Sequence, residues 1–254
     1  MTARALLLVG LAGLAAAPAQ AQAPAVWSAQ ALGRVEAFRA DREPWREARV
    51  AVQRRGPRGA VGVEAARVER NGRTDAMLAV DLYRVLSRRV YANVRAEAAP
   101  QASVVPAVAL LGEVYAGLGG GWEASAGARF LSVPGADVVL VVASATRTVG
   151  PFALGVRSSA ALRPAVTVST ALTARFAPET PSRGPATRAS ITLGQGQEAV
   201  VDADGAVAVR RQFVAAVSGQ RTVAGALGVL GGVAYVADGP ITRWSAEAGV
   251  AVRF

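Results

Sequence analysis

The chain has 254 residues and a formal net charge of +10, and its 28 basic residues are all arginine, against 18 acidic ones. Cysteine and histidine are absent, which excludes a disulfide-stapled miniprotein and removes both the commonest metal ligand and the commonest general base. Hydrophobic residues make up 52% and mean hydropathy is +0.30, yet no stretch beyond residue 21 holds the run of about 18 apolar residues that a membrane-spanning helix requires.

Residues 1–21 read as a cleaved secretory signal peptide. Arg4 supplies the basic segment, Ala5 to Ala17 the apolar one, and Ala19-Gln20-Ala21 the small residues a signal peptidase reads. The apolar run of about 13 residues is too short to cross a bilayer. The mature chain is then 22–254, a single domain with no linker. An exported, apolar chain without helical spans has one way to enter a membrane. It must pair its backbone polar groups within a closed sheet.

The chain carries the period of two that such a sheet requires. In Thr74 to Leu86, Ala76, Leu78, Val80 and Leu82 oppose Asp75, Met77, Asp81 and Tyr83. In Val90 to Ala98, Val90, Ala92, Val94 and Ala96 oppose Tyr91, Asn93, Arg95 and Glu97. Trp122 to Ser132 sets Trp122, Ala124, Ala126, Ala128 and Phe130 against Glu123, Ser125, Gly127 and Arg129. Ala165 to Phe176 sets Val166, Val168, Leu172, Ala174 and Phe176 against Thr167, Ser169, Thr173 and Arg175. The last segment is the clearest, with Trp244, Ala246, Ala248, Val250, Val252 and Phe254 opposing Arg243, Ser245, Glu247, Gly249, Ala251 and Arg253.

Turn signals such as Gly56-Pro57, Asn71-Gly72, Gly119-Gly120-Gly121 and Gly150-Pro151 separate the runs. The predicted strands are 31–40, 45–54, 60–70, 74–86, 90–98, 105–116, 122–132, 137–147, 151–162, 165–176, 187–195, 206–220, 224–237 and 241–254. The expected fold is all-β: a single closed antiparallel transmembrane β-barrel of about fourteen strands, or twelve if weak runs merge. A soluble periplasmic β-sandwich, with the apolar face buried between two sheets, is the competing architecture.

Aromatic residues lie near run ends. Phe38 and Trp45 flank one turn, and Trp45, Trp122, Phe152, Phe176 and Trp244 are expected at the membrane interface. The chain closes on Phe254, which resembles the C-terminal signal of outer-membrane barrels read by the barrel-assembly machinery. That machinery, with outer-membrane lipid and lipopolysaccharide, is an expected partner.

From Trp45 onward the order of landmarks resembles the YaiO-like outer-membrane β-barrel family. The residues that carry the likeness are Trp45-Arg46-Glu47, Arg54-Arg55, Asp75 with Tyr83 and Leu86, and Tyr91 followed by Pro100 and Pro106. Tyr115, Gly127-Ala128-Arg129 and Val252-Arg253-Phe254 complete it. The resemblance implies an outer-membrane location and leaves the molecular role open.

The residues argue against catalysis. Without histidine or lysine neither a Ser-His nor a Ser-Lys arrangement exists. Asp75 and Asp81 stand six residues apart, roughly 20 Å along a strand, too far for joint acid–base work. Asp202 and Asp204 beside Gly205 read as a solvated loop before a weak Ca²⁺ pair. No cofactor, metal or nucleic-acid partner is expected.

The inward face is expected to carry Arg49, Asp75, Asp81, Arg95, Glu97, Glu113, Glu123, Arg129, Arg175, Arg243 and Glu247, with Glu47, Arg147, Arg157 and Arg188 beside them. These charges either line a narrow pore that favours anions or pair across strands and close a structural barrel. No loop is long enough in this reading to act as a large plug. The positive charge reads first as arginine-rich genome composition and second as attraction to anionic lipopolysaccharide or anionic solutes.

Overall fold

The computed structural model describes residues 26–39, 43–133, 135–178, 187–201, 207–239 and 241–254. The signal peptide and the Asp202–Asp204 pair lie outside them. Among the described residues the strands are β1 (Val26–Phe38), β2 (Trp45–Gly56), β3 (Gly59–Arg70), β4 (Arg73–Val85), β5 (Val90–Ala98), β6 (Val108–Gly119) and β7 (Trp122–Val133). The second half holds β8 (Ala136–Val149), β9 (Phe152–Arg163), β10 (Thr167–Phe176), β11 (Arg188–Val201), β12 (Val207–Ala224), β13 (Leu227–Asp238) and β14 (Ile241–Arg253).

Each strand pairs antiparallel with the next, and β14 pairs with β1 over Ser28↔Arg253 to Phe38↔Arg243. The sheet is therefore a closed barrel of fourteen strands, and the two-sheet sandwich is excluded. A strand of 12 residues such as β2 is about 40 Å long and, tilted by ~40°, rises about 30 Å, the thickness of a hydrocarbon core.

Two faces separate cleanly. Residues opposite one another in the registers share a face, and the face holding Val50, Val63, Leu78, Val80, Leu82, Val94, Leu110, Leu154 and Leu172 is exposed. Leu78 and Leu154 are each 63% exposed. The other face carries Glu64, Asp75, Glu113 and Arg243, all buried. A water-soluble protein has the reverse arrangement. A continuous band of exposed valine and leucine is stable only against acyl chains.

The start of β1 and the end of β14 meet on one rim, where Trp27 N–H donates to Phe254 O at 2.8 Å and Phe254 N–H donates to Trp27 O at 2.9 Å. We call this the terminal end and the opposite rim the distal end. The β3–β4 hairpin shows how turns set the registers. Asn71 (φ 52°) and Gly72 (φ 70°) take left-handed conformations, the pair of angles a two-residue hairpin turn needs.

The predicted strands agree with the observed ones closely, with three extensions and two shifts: β6 is Val108–Gly119 rather than 105–116, residues 105–107 belonging to the loop before it, and β13 starts at Leu227 rather than residue 224. β1 starts at Val26 rather than residue 31, because behind Trp27 its lipid face carries small residues (Ala29, Ala31, Gly33) that weaken the alternation. β11 and β12 run on to Val201 and Ala224.

The lipid-facing assignment is testable at Leu78, in the middle of β4. Replacing Leu78 with arginine should cost about 2–4 kcal/mol if the site lies at mid-bilayer, read as a shift in urea unfolding from liposomes. A water-exposed leucine on a soluble barrel would tolerate the same change within ~0.5 kcal/mol, and that result would refute the assignment.

Candidate functional site

The barrel interior holds the chemistry. On the β2–β7 side the charges form one ribbon of alternating sign. Arg49 binds Glu47 on its own strand and lies 3.5 Å from Glu64. Arg95 Nη2 reaches the same Glu64 at 2.8 Å and Arg95 Nε reaches Glu97 at 2.6 Å. Asp81 and Arg129 flank the ribbon, each at 4.0 Å, from Arg95 and Glu97 respectively. The order follows from register, since Asp81 opposes Arg95 and inward positions on neighbouring strands sit side by side.

A second link spans β6 to β9. Arg157 grips Glu113 with both nitrogens, Nη1 to Oε1 at 2.7 Å and Nη2 to Oε2 at 2.8 Å. Ser125 adds a hydrogen bond to Glu113 at 2.5 Å. Gly127 lets the neighbouring strand approach closely here. It opposes Glu113 in the register, and a Cβ there would collide with the Gly112 carbonyl oxygen and sit 2.9 Å from Glu113 Cβ. The Glu113 side chain is 1% exposed, so the bidentate arginine is what makes its burial tolerable.

The distal end is packed shut along much of its circumference. Trp45 is the hub on the β14–β3 side. Its ring lies between Arg70 at 4.8 Å and Arg243 at 5.6 Å and against Phe38 at 4.7 Å. Its Nε1–H donates to Asn71 Oδ1 at 3.3 Å. Arg243 also lies 3.5 Å from Glu36, which Arg34 approaches at 3.0 Å. On the β6–β9 side Ala109, Leu131, Val138, Leu140 and Ala161 form a buried apolar cluster.

Between these two the 99–107 loop folds into the barrel. Asp75 holds it. Oδ2 accepts the N–H groups of Ser103, Val104 and Val105 at 2.8, 2.7 and 3.0 Å, and Oδ1 accepts the Ser103 hydroxyl at 2.7 Å. Ala99 and Val105 then pack on Ala66, Val68 and Met77. Asp75 is thus a loop anchor, 1% exposed, rather than a charge facing solvent in a lumen. Loop lengths in the sequence exclude only a large plug, and this short one is not foreseen from them.

The β10–β13 side is different. Its inward residues are small or hydroxylated, among them Ser169, Ala171, Thr173, Thr192, Gly194, Ala216, Ser218, Gly232 and Ala234. Thr173 and Thr192 meet at 3.1 Å and Ser190 and Ser218 at 2.8 Å. Filled space on one side and small side chains on the other make the lumen eccentric.

The remaining predicted residues divide between the two faces. Glu123 faces inward and accepts the Tyr91 hydroxyl at 2.5 Å. Tyr91 stacks on Tyr115 at 4.6 Å. Glu247 faces inward opposite Gly232, and Arg175 and Arg188 face inward near the terminal end. Trp122, Phe152, Phe176 and Trp244 face outward and are 46%, 61%, 39% and 58% exposed. The first three lie toward the terminal rim. Trp244 lies toward the distal one, 4.8 Å from Tyr235. Phe254 is outward and 67% exposed at the β1–β14 seam.

Two assignments are overturned. Trp45 is not an interface aromatic, because it shares the inward face of Glu47 and Arg49 and is 5% exposed. Phe38 goes inward with it. Arg147 opposes Trp122 on the outer face and lies over its ring at 5.5 Å, so it belongs to the girdle. Sequence reading missed Arg34, Glu36, Glu64 and Arg70 as inward charges. Glu64 was legible by parity, but its inward neighbours Ala66 and Val68 are apolar because the plug covers them.

A closed sheet with an apolar outer band, aromatics near both rims and charges inside defines an integral outer-membrane β-barrel protein. Residues 29–198 match the family model of the YaiO membrane beta barrel domain. The chain belongs to that family, as its landmarks implied. No curated protein sequence is recognisably similar to it.

Among solved structures, a bacterial polysaccharide outer membrane secretin superposes with a TM-score of 0.51 at 8% identity, over 90% of this chain and 98% of that one. OpdO of Pseudomonas aeruginosa gives 0.50 at 9% identity, over 91% and 96%. An anion-selective porin from Comamonas acidovorans gives 0.48 at 10% identity, over 91% and 99%. At such identities the first two likenesses concern the fold alone.

Two measurements check this interior. Arg157→Gln strands a buried Glu113 carboxylate and should destabilise the barrel by about 3–5 kcal/mol, whereas the Glu113→Gln/Arg157→Gln pair should recover most of that loss in urea titrations. Equal loss in both variants would show that the ion pair is incidental. Asp75→Asn weakens the charge-assisted bonds to the loop, each worth about 1.5–3 kcal/mol. A single cysteine at Ala102, in a chain otherwise free of cysteine, should then react with maleimide roughly tenfold faster or more. An unchanged rate would mean that Asp75 does not hold the plug.

Proposed function

We propose that this protein is a narrow, water-filled pore for small solutes, biased toward anions, whose passage runs along the small-residue wall of β10–β13. The observation that carries this reading is the uneven matching of charge inside the barrel. Glu64, Glu97 and Glu113 are engaged by arginine, Glu123 by Tyr91, and Asp75 by loop amides. Arg175 and Arg188 have no carboxylate partner among the described residues. Glu247 and the buried Asp238 have no ion pair among the described residues, but with 28 arginines against 18 acidic residues in the chain the surplus charge is guanidinium, and a lumen with that surplus attracts anions and repels cations.

This reading assigns no catalytic role to any side chain. It treats the exposed Phe254 at the seam as the feature read by the barrel-assembly machinery during insertion. The terminal end faces the periplasm, as in even-stranded bacterial barrels.

A non-conducting accessory barrel, serving envelope or surface-polysaccharide assembly, is the second reading. The packed distal end favours it.

Planar bilayers separate the two. The pore reading expects single-channel steps and a reversal potential, under a salt gradient, of the sign that marks chloride as the more permeant ion. Ala216→Trp, which fills the small-residue wall, should cut conductance at least in half, while lipid-facing Leu172→Trp should leave it unchanged. Silence from protein that runs as a folded, heat-modifiable species would end the pore reading and leave the accessory barrel.

A further inference from the structure

Arginine inside this barrel normally has an acid beside it, as Arg49, Arg95, Arg129 and Arg157 do. Three arginines near the terminal end break that pattern. Arg175 opposes Ser190 across β10 and β11, so Arg188, two residues before Ser190, is its diagonal neighbour on the same inward face. Such neighbours lie about 7–8 Å apart, within reach of two long side chains. Arg55 projects from the inward face of β2, in line with Arg49 and Gln53, and opposes Val26 at the terminal rim. It therefore faces β10 and β11 from the other side of the lumen.

Arg175 and Arg188 stand side by side on one wall, and Arg55 projects into the same mouth from another. No ion pair to any of the three exists among the described residues. Arg188 has a neutral partner, Gln220, whose Oε1 accepts its Nη2–H at 3.1 Å. Tyr83, two strands from Arg55 in the same register row through Ala60, adds a phenol at the same level. Arg175 and Arg188 are each half-buried, so water screens their repulsion less well than at an open surface.

Like charges facing one mouth, Arg55 exposed and the other two half-buried, with most of their donors unspent, attract a counter-charge. A guanidinium offers its N–H groups as a fork that matches two oxygens of one anion. Several forks aimed from different walls match an anion with several oxygens and more than one charge, which chloride cannot supply.

We propose that Arg55, Arg175 and Arg188 form a binding site for a tetrahedral oxyanion, of the phosphate or sulfate class, at the terminal mouth of the lumen. The site deepens the pore reading and rests on its water-filled mouth, but it does not require conduction. A phosphate group reaches such a mouth either as a free solute or as the headgroup of an anionic phospholipid.

Calorimetric titration of the purified barrel in a zwitterionic detergent tests it, with inorganic phosphate against sodium chloride at matched ionic strength. Saturable heat is expected with phosphate and not with chloride. The Arg175→Gln/Arg188→Gln variant should bind phosphate at least roughly tenfold more weakly, and outward-facing Arg147→Gln should bind as the parent does. Folding of each variant is verified by heat-modifiable migration. If the double variant does not fold, Arg188→Lys keeps the charge and loses the fork, and it should weaken binding by several fold. Displacement of phosphate by short-chain phosphatidylglycerol would make the headgroup the ligand, and failure to displace it would make the free oxyanion the ligand. Both outcomes support the site. No saturable phosphate binding, or equal binding in the parent and the arginine variants, would overturn it. Phosphate binding by a barrel silent in bilayers would remove the pore and keep the site, and conduction without phosphate binding would do the reverse.

Discussion

The pairing of β1 with β14 is the contact on which everything else depends. In a hydrocarbon layer no water is present to satisfy an unpaired N–H or C=O, so an open sheet edge is not tolerated. Eleven consecutive pairs from Ser28↔Arg253 to Phe38↔Arg243 remove that edge. Once the ring is closed, every side chain must point either to lipid or to the lumen. The alternation of Leu78, Val80 and Leu82 with Ala79, Asp81 and Tyr83 is the consequence of that choice, repeated around the wall.

The same closure sets the problem solved inside. A charge turned away from lipid enters a confined space where neighbouring side chains replace water. The interior answers in three ways. Glu113 receives a bidentate arginine and a serine hydroxyl. Asp75 receives a run of backbone amides from the 99–107 loop. Trp45 covers the guanidinium groups of Arg70 and Arg243 with its ring face, the site of negative potential on an aromatic. In each case the partner comes from another strand or loop, so the network ties together elements that backbone pairing alone links only to their neighbours.

What is legible in the amino-acid sequence, and what is not, follows from this division. Parity is a local property, and by itself it puts Arg49, Asp81, Arg95, Glu97, Glu113, Glu123, Arg129, Arg243 and Glu247 on the inward face. Turn signals such as Asn71-Gly72 reset the alternation and narrow the strand number to fourteen or twelve. Depth and neighbourhood are not local. Trp45 opens its strand as an interface aromatic would, although its parity with Glu47 and Arg49 already puts it on the inward face; what the sequence hides is its packing between distant charges at the distal end. Arg147 misleads because β8 has Thr146 and Thr148 on the true inward side, which leaves its one arginine as the apparent polar face. The plug escapes notice because its loop is plain in composition, and its anchor, Asp75, lies far back in the chain on β4.

The eccentric lumen is where these local and non-local effects combine. The β2–β9 side is filled by arginine–carboxylate links and by the loop, and the β10–β13 side keeps small residues. Filling one wall with paired charge uses up carboxylates. Because the chain has 28 arginines against 18 acidic residues, arginines are left over wherever acids run short. They run short on the small-residue wall, at Arg175 and Arg188. Arginine-rich composition explains why spare guanidiniums exist, but not where they sit. Arginines distributed at random would also fall on the lipid face in mid-membrane, where each is costly. On the outer face Arg54 and Arg147 instead lie at strand ends beside Trp27 and Trp122. The lumen and the two rims are the places where this fold can hold a charge, so a compositional excess of arginine becomes, through the geometry of the barrel, positive charge facing the lumen.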